Sequence, residues 1–258
     1  TGQDFDVVIV GGGLVGMSLA LALDRVDGLR VLAIEAQAPS APLAPRWDER
    51  HFALGRASTL ALDALGVAYA AAGQHPIRRI HVSRRGAFGR TLLDAAAQGL
   101  PAFGQIVPAR QLASALDDAM ARTTRLERGR PARLQDFAAQ DDHVALNLRV
   151  GDDMRPLRTR LLVAADGTDS AIRHTLAIPV QRHDYGQTAV VTAIEVERDL
   201  EGCAYERFTD SGPMALLPLD RRRAGLVMSL TTAQAATALT LSDADFLAFA
   251  EQRFGTRL

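Results

Sequence analysis

The stretch from Asp6 to Glu35 limits what this 258-residue chain can fold into more than any other. Asp6-Val-Val-Ile-Val10 is a short run of β-branched residues stopped by glycine, the pattern of a buried strand. Gly11-Gly-Gly-Leu-Val-Gly16 follows at once and fits G-x-G-x-x-G. Met17–Asp24 then reads as a helix and Arg30-Val-Leu-Ala-Ile34 as a second strand, ended by Glu35 nineteen residues after Gly16. A glycine-rich turn alone is common. Strand, glycines, helix, strand and acid in this order and spacing make a dinucleotide-binding unit. Gly11 allows the tight turn, Gly13 lets a diphosphate approach the backbone, and Gly16 lets the helix pack close to the strand. The free N–H groups and positive dipole end where the helix opens receive the anion. Glu35 can accept hydrogen bonds from ribose hydroxyls. A sheet-packing turn that binds no nucleotide is the competing reading of the same residues.

Other features exclude function classes. A net charge of −1 gives no general attraction to nucleic acid. The lone Cys203 cannot form an internal disulfide, and it shows no metal-ligand spacing with the six histidines. Every basic residue is Arg, which excludes Schiff-base lysine chemistry and a Walker-type phosphate lysine. Val7–Leu23 carries no charge, but it is short for a membrane span and holds four glycines. Asp4 and Asp6 stand where a secretion signal would carry positive charge, so a soluble, cytoplasmic chain is expected.

Further along, Ala36–Pro45 reads as a Pro/Ala-rich loop, Phe52–Leu65 as a helix stopped by Gly66, and Ala68–Ala72 as a second helix. Ile77–Val82 and Gly89–Leu93 read as paired strands, Gly104–Val107 as a strand, and Ala109–Arg122 as a helix opened by Pro108. Asp141–Val150 alternates like a half-exposed strand and turns at Gly151. Leu161-Leu-Val-Ala-Ala165 is unbroken and apolar, as in a strand buried on both faces, and runs into Asp166-Gly167. The remainder changes character: strands at Thr188–Val196, Tyr205–Thr209, Met214–Pro218 and Ala224–Leu230, then a helix over Ser242–Phe254.

Three stretches together resemble the class A flavin monooxygenases. They are Val10–Gly16 with Glu35, then Val163-Ala-Ala-Asp-Gly-Thr-Asp-Ser170 with Arg173, then Glu206-Arg-Phe-Thr-Asp-Ser-Gly-Pro-Met-Ala-Leu-Leu-Pro218. The third, with His81-Val-Ser83 and Gly104-Gln-Ile-Val107, is similar to the ubiquinone-biosynthesis branch. The resemblance implies an α/β fold: a Rossmann-like FAD-binding domain over residues 1–72 and 104–177, with a mainly β substrate domain over 73–103 and 178–258, as in the p-hydroxybenzoate hydroxylase-like fold. It implies that Gly11, Gly13, Leu14, Val15 and Gly16 hold the FAD diphosphate and Glu35 the adenosine ribose. Arg50 and Arg110 match arginines that face the cofactor, and Asp166-Gly167 the turn serving both FAD and the reduced nicotinamide. The implied activity is hydroxylation of a polyprenylated phenol, using NADPH or NADH and dioxygen through a flavin hydroperoxide. Implied partners are that phenol and other ubiquinone-biosynthesis proteins, with peripheral contact at the inner membrane. The resemblance assigns no catalytic side chain here, and no metal. Relative to the family the chain is expected to lack a C-terminal part carrying a second flavin motif, Gly-Asp-Ala-Ala-His. Rival readings are another FAD oxidoreductase on the same fold and a non-catalytic prenyl-binding escort protein.

Overall fold

A computed structural model describes residues 4–38, 50–70 and 75–255. In chain order the elements are β1 (Phe5–Val10), α1 (Leu14–Leu23), β2 (Val31–Ile34), β3 (His51–Gly55), α2 (Arg56–Ala64), β4 (His75–Ile77), β5 (Arg79–Arg84), β6 (Arg90–Asp94), β7 (Gly104–Pro108), α3 (Ala109–Ala121) and β8 (Glu127–Gly129). There follow β9 (Arg133–Ala139), β10 (Val144–Val150), β11 (Asp153–Ala164), α4 (Ala171–Thr175), β12 (Gln187–Glu195), β13 (Cys203–Thr209), β14 (Gly212–Pro218), β15 (Arg223–Thr231), α5 (Thr232–Ala238) and α6 (Asp243–Phe254). Most of the Ala36–Pro45 loop and the end of the Ala68–Ala72 helix expected from sequence lie outside the described residues. Ala68–Ala70 form no helix.

The chain makes two compact units. The first comprises Thr1–Asp48, Ala61–Tyr69 and Arg110–Val180, the second Glu49–Leu60, Ala70–Ala109 and Gln181–Leu258. Residues 50–60 and 104–109, grouped with the dinucleotide-binding part in the sequence division, pack with the second unit.

The first unit is a six-stranded sheet in the order β8-β2-β1-β11-β10-β9. β8, β2, β1 and β11 run parallel, and β11, β10 and β9 antiparallel. The apolar first strand sits at the centre, so Val8 and Ile9 are fully buried. One core cluster gathers Phe5, Val8, Leu32 and Ile34 with Leu146, Leu148 and Leu157 of the hairpin strands. The α3 stripe of Leu112, Ala115, Leu116 and Ala119 is buried as its helical spacing requires. The apolar end of β11 differs from expectation. Leu161 is 54% exposed and Ala164 is exposed, so a central place in the sheet covers only part of this run.

The second unit holds a six-stranded sheet, β12-β15-β14-β13-β5-β6, and a small one, β3-β7-β4. Helices α5 and α6 bury Ala235, Ala238, Ala250 and Phe254 on one face of the large sheet, against Met214, Leu216, Leu226 and Met228. Both helices start as their sequences dictate. Thr231 and Gln234 form a capping box on α5, and Ser242 accepts from the Asp245 N–H on α6. The helix expected from Phe52 begins only at Arg56, because residues 51–55 pair with β7 instead. That pairing requires Gly104: a Cβ there would lie 1.9 Å from the Leu54 carbonyl oxygen.

Candidate functional site: the crevice between β1, β2 and β11

The parallel register brings two distant motifs together. Val10 pairs with Ala164, and Ala165 N donates to Val10 O at 2.8 Å, so the Gly11 turn and the Asp166 turn leave adjacent strand ends. β2 flanks β1 on the other side, so β1 sits where the strand order reverses. In open parallel sheets ligands bind beyond the carboxyl ends at that point. A cavity of about 480 Å³ opens there, lined by Gly11, Gly13, Glu35 and Asp166 among others.

Each glycine has a separate physical cause. Gly11 has φ 115°, and a Cβ on it would lie 2.2 Å from the Ala165 carbonyl oxygen. A Cβ on Gly16 would lie 1.9 Å from the Gly11 carbonyl oxygen, so the helix could not approach the turn. Gly12, which the motif leaves free, is also constrained: a Cβ would stand 2.7 Å from that of Glu35. Gly13 meets nothing within 4 Å, so its missing side chain is space left open toward the cavity. Gly13 caps α1 in extended conformation with no side-chain capping bond, and no acid occupies the first turn. The opening N–H groups of Leu14 and Val15 therefore keep their capacity for an outside acceptor.

Glu35 ends β2 and holds the turn. Its Oε2 accepts from Gly12 N and its Oε1 from Gln37 N, each at 2.7 Å. A carboxylate offers about four acceptor positions, so both oxygens can still take a ligand hydroxyl. Asp166 is the second carboxylate. Its Oδ2 accepts from Ile172 N at 3.4 Å, while its Oδ1 is buried without a hydrogen-bond partner among the described residues. Burial pushes its pKa up. The Ser170 hydroxyl and the amides of Ile172, Asp166 and Ala171 outweigh burial and hold it below the usual carboxylate value. Ser170 serves two ends here, since it also accepts from Arg173 N as the cap of α4. Gly167, at φ 89°, makes the turn and lines the cavity.

Neither expected arginine is among the residues lining this cavity. Arg110, in the first turn of α3, is exposed and is absent from the cavity lining. Arg50 is exposed ahead of β3 in the second unit, where its carbonyl accepts from Ala109 N. Leu14 and Val15 open α1, so their amides are among its first N–H groups, while the Val15 side chain is 74% exposed. Sequence reasoning missed the far wall, Arg133–Phe137 of β9. No motif marks that strand, and only the sheet order brings it here. No group of three or more metal-ligating side chains occurs among the described residues.

The site thus joins a glycine turn and two carboxylates around one cavity at the switch point of an α/β sheet. The chain belongs to the FAD binding domain family, which matches residues 4–256. It is 36% identical over 254 residues to ubiquinone hydroxylase UbiL of Rhodospirillum rubrum, covering 98% of this chain and 58% of the relative. It is 31% identical over 261 residues to 3-demethoxyubiquinol 3-hydroxylase of Escherichia coli, covering 100% of this chain and 66% of that one. The chain therefore spans roughly three fifths of the length of these relatives. Among solved structures it resembles PqsL, a probable FAD-dependent monooxygenase from Pseudomonas aeruginosa, at TM-score 0.77 and 23% identity, covering 96% of this chain and 66% of that one. That likeness shows the fold, the p-hydroxybenzoate hydroxylase-like α/β arrangement.

The residues present fit FAD. The open space at Gly13 and the uncapped helix start suit a diphosphate. Glu35 retains acceptor capacity for ribose hydroxyls, and the bare Asp166 Oδ1 calls for a hydroxyl or N–H donor. FAD carries all of these groups.

Proposed function

We propose that this chain provides the FAD-binding and substrate-facing parts of a monooxygenase that hydroxylates a polyprenylated phenol in ubiquinone biosynthesis. The observation that carries this reading is the meeting of the Gly11–Gly16 turn, Glu35 and Asp166 around one cavity. The relatives' names, two of them ubiquinone-pathway hydroxylases, supply the substrate class. Within that branch we infer, from the Glu206–Pro218 stretch, a similarity to 2-octaprenyl-6-methoxyphenol hydroxylase. Gly13, Leu14 and Val15 would receive the diphosphate through main-chain N–H groups, Glu35 the ribose, and Asp166 a donor on the rest of the cofactor. Bound FAD would supply the redox chemistry, taking electrons from NADPH or NADH and activating dioxygen. The protein's part is then to orient the phenol and keep water out. No helix of the described residues is long and apolar enough to cross a membrane. We infer that the substrate is taken at a membrane surface or from partner proteins of the pathway.

The test is a titration with FAD, followed by flavin fluorescence. Hydrogen bonds to a charged acceptor contribute about 1.5–3 kcal/mol, so Glu35→Ala should weaken binding roughly tenfold or more. Equal affinity in the two proteins would remove Glu35 from the site. Oxidation of NADPH or NADH that depends on an added prenylphenol then separates a hydroxylase from an escort protein.

A further inference from the structure

The helix-covered face of the large sheet holds a cluster of positive charge that the crevice does not use. Directly paired residues on neighbouring strands lie on the same face of a sheet. The register pairs Tyr205 and Arg207 of β13 with His81 and Ser83 of β5, and Ser83 in turn with Arg90 of β6. Tyr205 packs against the core under α5 and α6, with its ring 6.5 Å from Phe254, so these residues share that face. A cavity of about 250 Å³ opens among them, beside the hairpin tip where β5 turns into β6. The tip adds Arg84 and the fully exposed Phe88 to its lining, and the end of α6 closes it at Phe254 and Gly255. His81-Val-Ser83, singled out in the sequence, thus has its place at this cavity and not at the crevice.

The charges at this cavity do not balance. The guanidinium groups of Arg84, Arg90 and Arg207 line it, and no carboxylate does. None of the three forms an ion pair among the described residues. Arg207 donates through Nη1 to the Ser83 hydroxyl at 3.1 Å, while its Nε is buried with no hydrogen-bond partner. Its guanidinium carbon lies 6.0 Å from the centre of the Phe254 ring, a contact that orients the fork without satisfying that donor. The carbonyl end of α6 offers only about half a negative charge. Burial lowers the His81 pKa, and the charges of Arg90 and Arg207 act in the same direction, so the ring adds no positive charge of its own at neutral pH. A buried donor without an acceptor costs stability, and so does a cluster of like charges; one anion relieves both. The surroundings restrict that anion. A carboxylate offsets one charge of three. A phosphate monoester carries about 1.5–2 negative charges at neutral pH and three strong acceptor oxygens. The planar guanidinium fork matches it with two parallel hydrogen bonds. Phe88 beside the mouth offers apolar contact to the group that carries the phosphate.

We propose that this cavity is a second, separate binding site, in which Arg207 and Arg90 grip the phosphate group of a phosphate monoester and Arg84 adds charge at the mouth. The site goes beyond the proposed hydroxylase function and does not depend on it, since none of its residues lines the crevice.

The experiment titrates the protein with inorganic phosphate at neutral pH and follows the Arg207 Nε–H and the Ser83 amide by nitrogen–proton NMR. Both signals are local, so phosphate at the Gly11–Gly16 turn does not move them. They should shift and saturate, while sodium chloride at the same ionic strength should leave them in place. Arg90→Gln, at an exposed position, should weaken the response roughly twofold to fivefold. Arg207→Met, which keeps the stem and removes the fork, should weaken it roughly tenfold or more, read from the Ser83 amide. Signals indifferent to phosphate overturn the proposal, as does a shift that chloride reproduces or an affinity that neither variant alters. Flotation with phosphatidylcholine vesicles, with and without phosphatidic acid, then separates the sources of the phosphate. Recovery that requires phosphatidic acid and falls in Arg90→Gln supports the site as a reader of lipid headgroups. No recovery, with the phosphate response intact, supports it as a site for a soluble phosphate ester.

Discussion

Gly13 and Gly16 stand three residues apart, and exchanging each for alanine should have opposite consequences. At Gly16 the new Cβ would lie 1.9 Å from the Gly11 carbonyl oxygen and 3.1 Å from its carbon. Both obstacles are backbone and neither can swing away. Reaching ordinary contact near 3.5 Å requires α1 to lift from the turn by about 1.6 Å. Overpacking of this kind costs about 1–3 kcal/mol, and a backbone obstacle puts Gly16→Ala at the upper end. For a chain of this size that is a melting shift of roughly 6–12 °C. At Gly13 the Cβ meets nothing within 4 Å, and φ −74° with ψ −179° suits any residue. Alanine restricts the unfolded chain, a gain of about 0.4–1 kcal/mol, but is a poorer N-cap than glycine by a similar amount. Gly13→Ala should therefore melt within about 2 °C of the parent protein. Its methyl group nonetheless enters the space left for the diphosphate, so FAD affinity should fall at least about tenfold, or 1.4 kcal/mol. Thermal melts and FAD titrations of both variants check this. A stable Gly16→Ala protein, or a Gly13→Ala protein with unchanged FAD affinity, would refute the division of labour.

Three further outcomes follow from the same geometry. Asp166 has a lowered folded-state pKa, so its contribution is present above the unfolded carboxylate value and is lost as pH falls through the folded one. The stability gap between the parent protein and Asp166→Asn should thus be full at neutral pH and shrink on acidification in denaturant titrations. Glu206 is shifted the other way, so its ionisation opposes folding at pH above its raised pKa. Glu206→Gln should accordingly be more stable than the parent protein at neutral pH and lose that advantage in acid, whereas a loss of stability at neutral pH would contradict the raised pKa. Thr231→Ala removes one half of the α5 capping box and should cost about 0.5–2 kcal/mol by chemical denaturation, without altering FAD affinity.

Local chemistry made much of this fold legible from sequence. The β1 turn, the alternating β10 hairpin, the Ser242 cap and four strands of the second unit follow from patterns within a few residues of one another. The errors fall where distant partners decide. Residues 52–55 have helical spacing, but Gly104 supplies a partner strand that only a glycine permits. Leu161 reads as buried from its neighbours, while its exposure depends on what the sheet face meets. The site shows the same contrast. Gly11, Gly13, Gly16, Glu35 and Asp166 announce themselves by motif, and the parallel pairing of β1 with β11 gathers them. The β9 wall and the need for glycine at position 12 depend on contacts across the sheet, and no local pattern encodes them.

The central claim is that the crevice beyond β1 and β11 holds the adenosine diphosphate half of FAD. A crystal structure of the protein grown with FAD tests it most directly. The account requires the diphosphate within hydrogen-bond distance of the main-chain N–H groups of Gly13, Leu14 and Val15, and the adenosine ribose on Glu35. Ordered FAD bound elsewhere, or a diphosphate making no contact with that turn, would contradict it.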